Sequence, residues 1–194
     1  MRKLIVISFL TLDGVMQAPG AKEEDPENGF PYGGWQLPFF GDDDDRVAEE
    51  MQQAGALLIG RKTYDIFAGY WPTVGRDIPV FGEFMNKIPK YVASKTLPAV
   101  EWENSTLLEG DTAKAIAKLK TEPGKDIYMF GSGDLIQTLM REKLIDQYIL
   151  MLYPLVLGTG KKLFRENSAK QDLELIKSKT TPKGVLILDY NLKK

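Results

Sequence analysis

The chain has 194 residues, of which 43% are hydrophobic and 27% are charged, and its 25 basic residues nearly balance its 27 acidic ones. A chain of this length buries about two-thirds of its unfolded surface around one core, which excludes disordered and fibrous classes. The net charge of −2 supplies no positive field for a polyanion, so we expect no nucleic-acid partner.

The absence of cysteine and histidine excludes several chemistries. Disulfides, thiol nucleophiles, thiolate metal sites and Ser-His-Asp triads cannot form. Any acid or base must be Asp, Glu, Lys, Tyr or water, so we expect a cofactor to carry the chemistry. We expect no metal site, because the run Asp42 to Asp45 lacks the glycine and the distal glutamate of a calcium loop and suits a helix N-terminus.

The N-terminal segment places basic residues before an apolar run, as a secretory signal does. Thr11 and Asp13 follow without a small-residue cleavage pattern, so we interpret Leu4 to Leu10 as a buried strand. The apolar run from Tyr148 to Leu157 contains Pro154 and is too short to cross a membrane. We therefore expect a cytoplasmic protein with no membrane partner.

Apolar runs rich in β-branched residues predict strands, and the segments between them have helical spacing. The predicted strands are Leu4 to Leu10, Ala56 to Ile59, Tyr91 to Ala93, Ile127 to Phe130 and Tyr148 to Val156. The predicted helices are Asp43 to Ala54, Thr112 to Lys120 and Asp134 to Lys143. This alternation is typical of an α/β protein with a mostly parallel sheet.

The C-terminal segment has a different pattern. Leu173 to Thr180 alternates, a Thr-Pro-Lys-Gly turn follows, and Val185 to Tyr190 continues as a second run, which together predict an antiparallel hairpin. The turn-rich stretch Gln17 to Gly34 is too short for a domain linker, and the chain has no internal repeat. We therefore expect residues 1–194 to form a single domain.

The tripeptide Gly131-Ser132-Gly133 lies between a strand that ends at Phe130 and a helix that begins at Asp134. Such a turn lets backbone N–H groups and a helix dipole approach a pyrophosphate. The standard dinucleotide fingerprint fails, because Ile136 stands in place of its third glycine and Tyr153 in place of its acidic residue. The tripeptide therefore fits two interpretations, a phosphate-binding turn and an ordinary strand-to-helix turn.

Two further strand ends carry polar residues. Gly60-Arg61-Lys62-Thr63 places two cations at a helix N-terminus, where they oppose the helix dipole and favour a bound anion. A solvated loop explains the same residues nearly as well. Ser94-Lys95-Thr96 follows the next strand, and open α/β sheets bind ligands at strand carboxyl ends.

Several short motifs, taken together, resemble those of the dihydrofolate reductase superfamily. They are Leu12-Asp13-Gly14, Gly60-Arg61-Lys62-Thr63, Ser94, Phe130-Gly131-Ser132-Gly133, Leu144-Ile145-Asp146 and Pro154-Leu155-Val156-Leu157-Gly158. The branch that they resemble more closely is related to the C-terminal reductase domain of the bifunctional riboflavin-biosynthesis deaminase-reductase. The resemblance covers about Leu4 to Leu192. It implies a central, mostly parallel sheet of about eight strands flanked by helices, with NADPH bound across the strand ends and a hydride transferred to a small heterocycle or sugar imine.

The resemblance also implies which residues bind the cofactor. They are Phe9, Gly60, Arg61, Lys62, Thr63, Ser94, Lys95, Phe130, Gly131, Ser132, Gly133 and Asp134. Arg61 and Lys95 suit the phosphate that NADPH carries and NADH lacks, because a charge-assisted contact favours the phosphorylated ligand. Members of the family often pair through sheet edges, and the C-terminal hairpin offers such an edge, so we expect a homodimer.

The implied substrate side is less complete. Trp35, Leu37 and Phe40 are expected to wall the substrate pocket, but Phe40 replaces the pterin-binding carboxylate and Ile88 replaces the folate-tail arginine of dihydrofolate reductase. We therefore expect no efficient dihydrofolate reduction, and a reaction resembling that of 5-amino-6-(5-phosphoribosylamino)uracil reductase. Asp13 or water supplies the proton, although an Asp-Gly turn explains Asp13 equally well. The alternative is a non-catalytic nucleotide-binding protein with the same fold.

Overall fold

A computed structural model describes residues 1–41, 44–78 and 81–193, apart from the side chains of residues 44–48 and 75–76. The strands are β1 (Leu4–Thr11), β2 (Ala56–Gly60), β3 (Lys90–Ala93), β4 (Ser105–Leu107), β5 (Ile127–Phe130), β6 (Gln147–Tyr153), β7 (Leu173–Thr180) and β8 (Leu186–Leu192). The helices are α1 (Asp44–Gln53), α2 (Arg61–Tyr70), α3 (Phe81–Lys87), α4 (Thr112–Thr121) and α5 (Gly133–Arg141).

The strands form one sheet in the order β4-β3-β2-β5-β1-β6-β8-β7. All pairings among β1 to β6 are parallel, whereas β8 pairs antiparallel with β6 and with β7. The predicted α/β class, the mostly parallel sheet and the antiparallel C-terminal hairpin are confirmed.

The central strand β1 shows why the sheet is covered on both faces. Its successive side chains point to opposite faces, so Ile5 and Ile7 enter one apolar core and Leu4 and Val6 enter the other. The first core includes side chains from α1, α2 and α3, and the second includes side chains from α4 and α5. Burial on both faces explains the continuous apolar run of β1.

The structure differs most from the sequence prediction at β6, β4 and α3. β6 ends at Tyr153 rather than Val156, because Pro154 has no N–H for the ladder. β4 has three residues and no buried position, and α3 has seven residues, so neither carries a strong periodic signal. Asp42 and Asp43, part of the acidic run discussed above, lie outside the described residues.

The edge strand β7 is mostly exposed, with Leu175 and Ile176 half exposed. It leaves one edge of the sheet unpaired in the described chain, and the homodimer stays a prediction. In the part of the chain that the structure describes, every helix is too short or too polar to span a lipid bilayer.

Candidate functional site

The carboxyl ends of β1, β2, β3 and β5 open into one cleft of about 1950 Å³. A site for one small molecule usually has a volume of about 300–1,000 Å³, so this cleft has room for two. All of the residues predicted to bind the cofactor line it: Phe9, Gly60, Arg61, Lys62, Thr63, Ser94, Lys95, Phe130, Gly131, Ser132, Gly133 and Asp134.

Ser132 joins two of the predicted turns. Its Oγ accepts the N–H of Gly60 at 2.7 Å and lies 2.7 Å from the hydroxyl of Thr63. Gly60 permits this approach, because a Cβ at that position would lie 2.9 Å from Ser132 Oγ. Gly131 has a φ of +71°, a conformation that favours glycine. We call Gly60–Thr63 and Gly131–Gly133 together the turn end of the cleft.

Two helices begin at the turn end, α2 at Arg61 and α5 at Gly133. The first N–H groups of a helix have no partner within it and carry the positive end of its dipole. Neither helix begins with a side chain that caps it by a hydrogen bond. The turn end therefore offers unoccupied donors to an anion.

Basic side chains extend the turn end toward β3. The Arg61 guanidinium donates to the hydroxyl of Thr96 and lies 3.5 Å from the carboxylate of Asp65. Ser94 Oγ accepts the N–H groups of Thr96, at 3.2 Å, and Leu97, at 3.0 Å, which folds the chain after β3 into a turn beside Arg61. Lys95 lines the cleft from this turn and is exposed. The arrangement places two cations where a ligand phosphate can reach them.

Lys62 has a different environment from Arg61. It forms an ion pair with Glu27, whose carboxylate also lies 2.5 Å from Lys161 Nζ. Lys161 pairs in addition with Asp25. Hydrogen bonds from Lys161 and Lys62 lower the pKa of Glu27 to about 2, so this carboxylate stays charged. Lys62, predicted to bind the cofactor, is thus partly neutralised by the loop that faces it.

Glu24 is a cleft residue that the sequence did not indicate. Burial raises the pKa of its carboxyl, the N–H groups of Gly20 and Ala21 lower it through hydrogen bonds of 2.7 and 3.2 Å, and the nearby charge of Asp25 raises it. The net effect is a pKa above the ordinary value. A carboxyl of this kind can exchange a proton with a bound ligand. No motif marks it, because its burial depends on how the loop folds.

Aromatic side chains from α2 and α3 form another wall of the cleft. Trp71 contacts Tyr70 and Phe81 with ring centroids 5.1 Å apart in each pair, and Phe67 at 6.2 Å. These four residues and Phe84 all line the cleft. Phe40 also lines the cleft and is 50% exposed, and we call these six aromatic residues together the aromatic end.

Of the three predicted substrate-wall residues, the structure places only Phe40 in the cleft lining. Trp35 is buried, packs edge-on against Tyr153 at 5.3 Å and donates its indole N–H to Gln17 O at 2.7 Å. Two residues earlier, Gly33 packs closely on the same loop, since a Cβ at that position would lie 2.2 Å from the backbone oxygen of Lys22. Leu37 is half exposed and lies outside the lining.

Asp13 also lies outside the cleft lining. Its carboxylate accepts the hydroxyl of Thr11 at 2.6 Å and the N–H groups of Leu157, at 3.2 Å, and Gly158, at 2.9 Å. Burial raises the pKa of Asp13, but these hydrogen bonds outweigh it and leave the pKa below its ordinary value. The geometry favours the interpretation of Asp13 as a turn residue that anchors the loop after β6.

A family model described as the RibD C-terminal domain matches residues 2–187. The chain belongs to this family. The match covers nearly the whole chain and confirms the resemblance drawn from the turn motifs. Membership supports a reductase-like role for this RibD C-terminal domain protein.

Two curated relatives come from Bacillus subtilis strain 168. The uncharacterized protein YyaP is 27% identical over 197 residues, covering 98% of this chain and 95% of its own length. The uncharacterized protein YwjB is 28% identical over 174 residues, covering 90% of this chain and 89% of its own length. The similarity therefore extends over most of both relatives.

Three solved structures share the fold. A putative riboflavin biosynthesis protein from Shewanella sp. PV-4 has a TM-score of 0.71 at 23% identity, with 99% of each chain covered. A pyrimidine reductase-like protein from Corynebacterium diphtheriae has a TM-score of 0.62 at 14% identity, covering 100% of this chain and 92% of its own. Dihydrofolate reductase from Enterococcus faecalis, complexed with NADP(H), has a TM-score of 0.62 at 12% identity, covering 99% and 97%. These likenesses confirm the dihydrofolate reductase-like fold.

Proposed function

We propose that this protein is an NADPH-dependent reductase of a small heterocyclic substrate. The observation that carries the proposal is the convergence of four separate chain segments, after β1, β2, β3 and β5, on one cleft. Ligands of open α/β sheets bind at this edge. Family membership supports the reductase class, and the cations at the turn end support the phosphorylated cofactor.

The residues present fit such a cofactor. Gly131 has a φ of +71°, which favours glycine, and the backbone of the turn Gly131–Gly133 can approach a pyrophosphate at the start of α5. Arg61, Ser94 and Lys95 would hold the ribose phosphate, and Phe9 would face the nicotinamide. When bound, the cofactor supplies a hydride. The protein's own contribution is to position both ligands and to exclude water between them.

The test is a fluorescence titration with NADPH and with NADH, on the wild-type chain and on Arg61→Ala. Loss of one charge-assisted contact corresponds to about 10- to 100-fold weaker NADPH binding, with a much smaller change for NADH. Arg141→Ala is the matched control, because Arg141 is exposed and lies outside the cleft lining. Equal losses for the two cofactors in Arg61→Ala would contradict the assignment.

Dihydrofolate is expected to be a poor substrate. Phe40 presents an apolar ring where a pterin would need a carboxylate. A spectrophotometric assay of NADPH oxidation with dihydrofolate should therefore show no efficient turnover. Failure of every heterocycle in such a screen, with NADPH still bound, would instead favour a non-catalytic nucleotide-binding protein.

A further inference from the structure

The turn end and the aromatic end lie at opposite ends of α2. Lys62, Ile66 and Tyr70 are four residues apart, so they share one face of the helix, and all three line the cleft. The helix rises about 1.5 Å per residue, which puts Lys62 and Tyr70 about 12 Å apart along its axis. A ligand part held by the aromatic end is therefore well separated from the cations of the turn end.

Lining residues at the aromatic end are uncharged wherever the structure describes their side chains. They are Phe40, Phe67, Tyr70, Trp71, Phe81 and Phe84. Phe40 is 50% exposed and Tyr70 is 40% exposed, so two large rings of the cleft lining are accessible to a ligand. Exposed apolar rings that are grouped in a concave surface mark a ligand-binding site.

Two of the lysines that line the cleft are already paired with carboxylates of the loop that faces them. Lys62 is paired with Glu27, and Lys161 is paired with both Glu27 and Asp25. A phosphate that entered beside Lys62 and Lys161 would have to displace these carboxylates, and a phosphate placed against the aromatic rings would lose its water there. Both cost free energy.

We propose that the aromatic end binds a planar, uncharged heteroaromatic ring that carries no phosphate. The proposal rests on the proposed function for its role as the substrate site, and it narrows the substrate class. The rings of Phe40 and Tyr70 contact the ligand, and the loop carboxylates Asp25 and Glu27 disfavour a phosphorylated analogue. The substrate class thus differs from the ribosylaminopyrimidine phosphate that the family resemblance implies.

The test uses pairs of probes that share a ring and differ by one phosphate: riboflavin with FMN, and uridine with UMP. Dissociation constants are measured by calorimetry on the free chain and on the chain saturated with NADP⁺, which cannot react. We expect the uncharged member of a pair to bind at least about tenfold more tightly. Tighter binding of the phosphorylated members, or no binding of any probe at millimolar concentration, overturns the proposal.

Two alanine variants test whether the ring binds at the aromatic end. Tyr70→Ala and Phe40→Ala remove exposed rings, so both chains are expected to fold, and each should weaken ring binding about tenfold while leaving the dissociation constant of NADP⁺ unchanged. Tyr32→Ala is the matched control, because Tyr32 is 47% exposed and lies outside the cleft lining. Equal losses in Tyr32→Ala would place the ring elsewhere and overturn the proposal.

Removing the loop charges tests the selectivity separately. Glu27→Gln should narrow the preference for riboflavin over FMN, since it frees Lys62 and Lys161 for a phosphate. The riboflavin and FMN titrations are also made on Arg46→Gln and Arg76→Gln. These two side chains lie outside the described part of the chain and are close in sequence to residues of the aromatic end. Loss of FMN binding in either arginine variant, with FMN the tighter ligand in wild type, would identify a phosphate contact and contradict the proposal.

The two proposals fail in distinguishable ways. A chain that binds riboflavin but neither NADPH nor NADH overturns the proposed reductase function and leaves the ring site in place. A chain that binds NADPH selectively but none of the ring probes overturns the ring site alone.

Discussion

The two ends of the cleft are built in different ways. At the turn end, short runs directly after buried strands bring backbone N–H groups together, and Ser132 connects them through hydrogen bonds to Gly60 and Thr63. At the aromatic end, rings from α2 and its C-terminal end pack against Phe81 of α3, and Phe40 comes from a separate segment before α1. Each turn of the turn end is thus specified by its local sequence, whereas the aromatic end combines side chains from segments that are distant in the chain.

The two ends also depend on different stabilising interactions. The turn end depends on backbone conformation, including the positive φ of Gly131 and Ser132. The aromatic end depends on the position of α3, a helix of seven residues that is too short to be stable by itself. Lys90 on β3 binds the C-terminal end of that helix, so a single substitution at Lys90 should disturb the aromatic end.

The largest expected effect is that of Lys90→Met. Lys90 is 1% exposed, and its ammonium donates to the carbonyls of Met85 and Asn86, each at 2.9 Å, and of Ile88 at 2.8 Å. The variant leaves these carbonyls without their donor, so the free energy of unfolding should fall by about 3 kcal/mol or more. Urea unfolding measures the loss, and titrations with riboflavin and NADPH should show that ring binding suffers more than cofactor binding.

Lys120→Met is the matched control for that comparison. Lys120 is a buried lysine on α4, 2.5 Å from Asp146, and it lies outside the cleft lining. Its loss should destabilise the chain without a selective effect on ring binding. If both variants weaken riboflavin and NADPH binding in equal proportion, the aromatic end does not depend specifically on α3.

Burial also lowers the pKa of Lys90, to about 8. Between pH 8 and the ordinary value of 10.5, the unfolded chain therefore holds a proton that the folded chain has released. Lys90 should make the wild-type chain more stable as the pH rises through this range, and Lys90→Met should lack that rise.

The contrast between the two ends explains what could be predicted from the sequence. The turn Gly131–Gly133 follows a buried strand and precedes a helix, so its place at the strand ends follows from local pattern alone. The burial of Trp35 could not be predicted, because it depends on contacts with Tyr153 and with the backbone of Gln17, which the loop conformation creates. Glu24 was missed for the same reason, since its desolvation arises from a loop conformation without a periodic signal. The short helix α3 was missed because tertiary contacts, rather than sequence periodicity, stabilise it.

A smaller effect is expected at the turn end from Ser132→Ala. The variant removes the acceptor of the Gly60 N–H and a partner of the Thr63 hydroxyl, so the free energy of unfolding should fall by about 1–2 kcal/mol. NADPH binding should weaken about fivefold or more, while riboflavin binding stays near the wild-type value. Thermal unfolding and fluorescence titration measure the two effects.

Thr181→Val serves as the control for Ser132→Ala. The Thr181 hydroxyl accepts the N–H of Val185 at 3.0 Å in the turn of the C-terminal hairpin, and both residues lie outside the cleft lining. This variant should also lose stability but keep its NADPH affinity. A loss of NADPH affinity in both would show that general destabilisation, and not the geometry of the turn end, is the cause.

The smallest expected effect concerns Glu24, in the loop that lines the cleft. Because burial raises the pKa of this carboxyl, the folded chain keeps a proton at pH values where the unfolded chain has released it. Stability contributed by Glu24 is therefore lost as the pH rises through that range. Urea unfolding of Glu24→Gln between pH 4 and pH 7 should show the variant gaining stability relative to wild type as the pH increases. Glu23→Gln removes the same charge from an exposed neighbour and should follow the wild-type profile, so a parallel profile for both variants would mean that the carboxyl of Glu24 is solvated in the cleft.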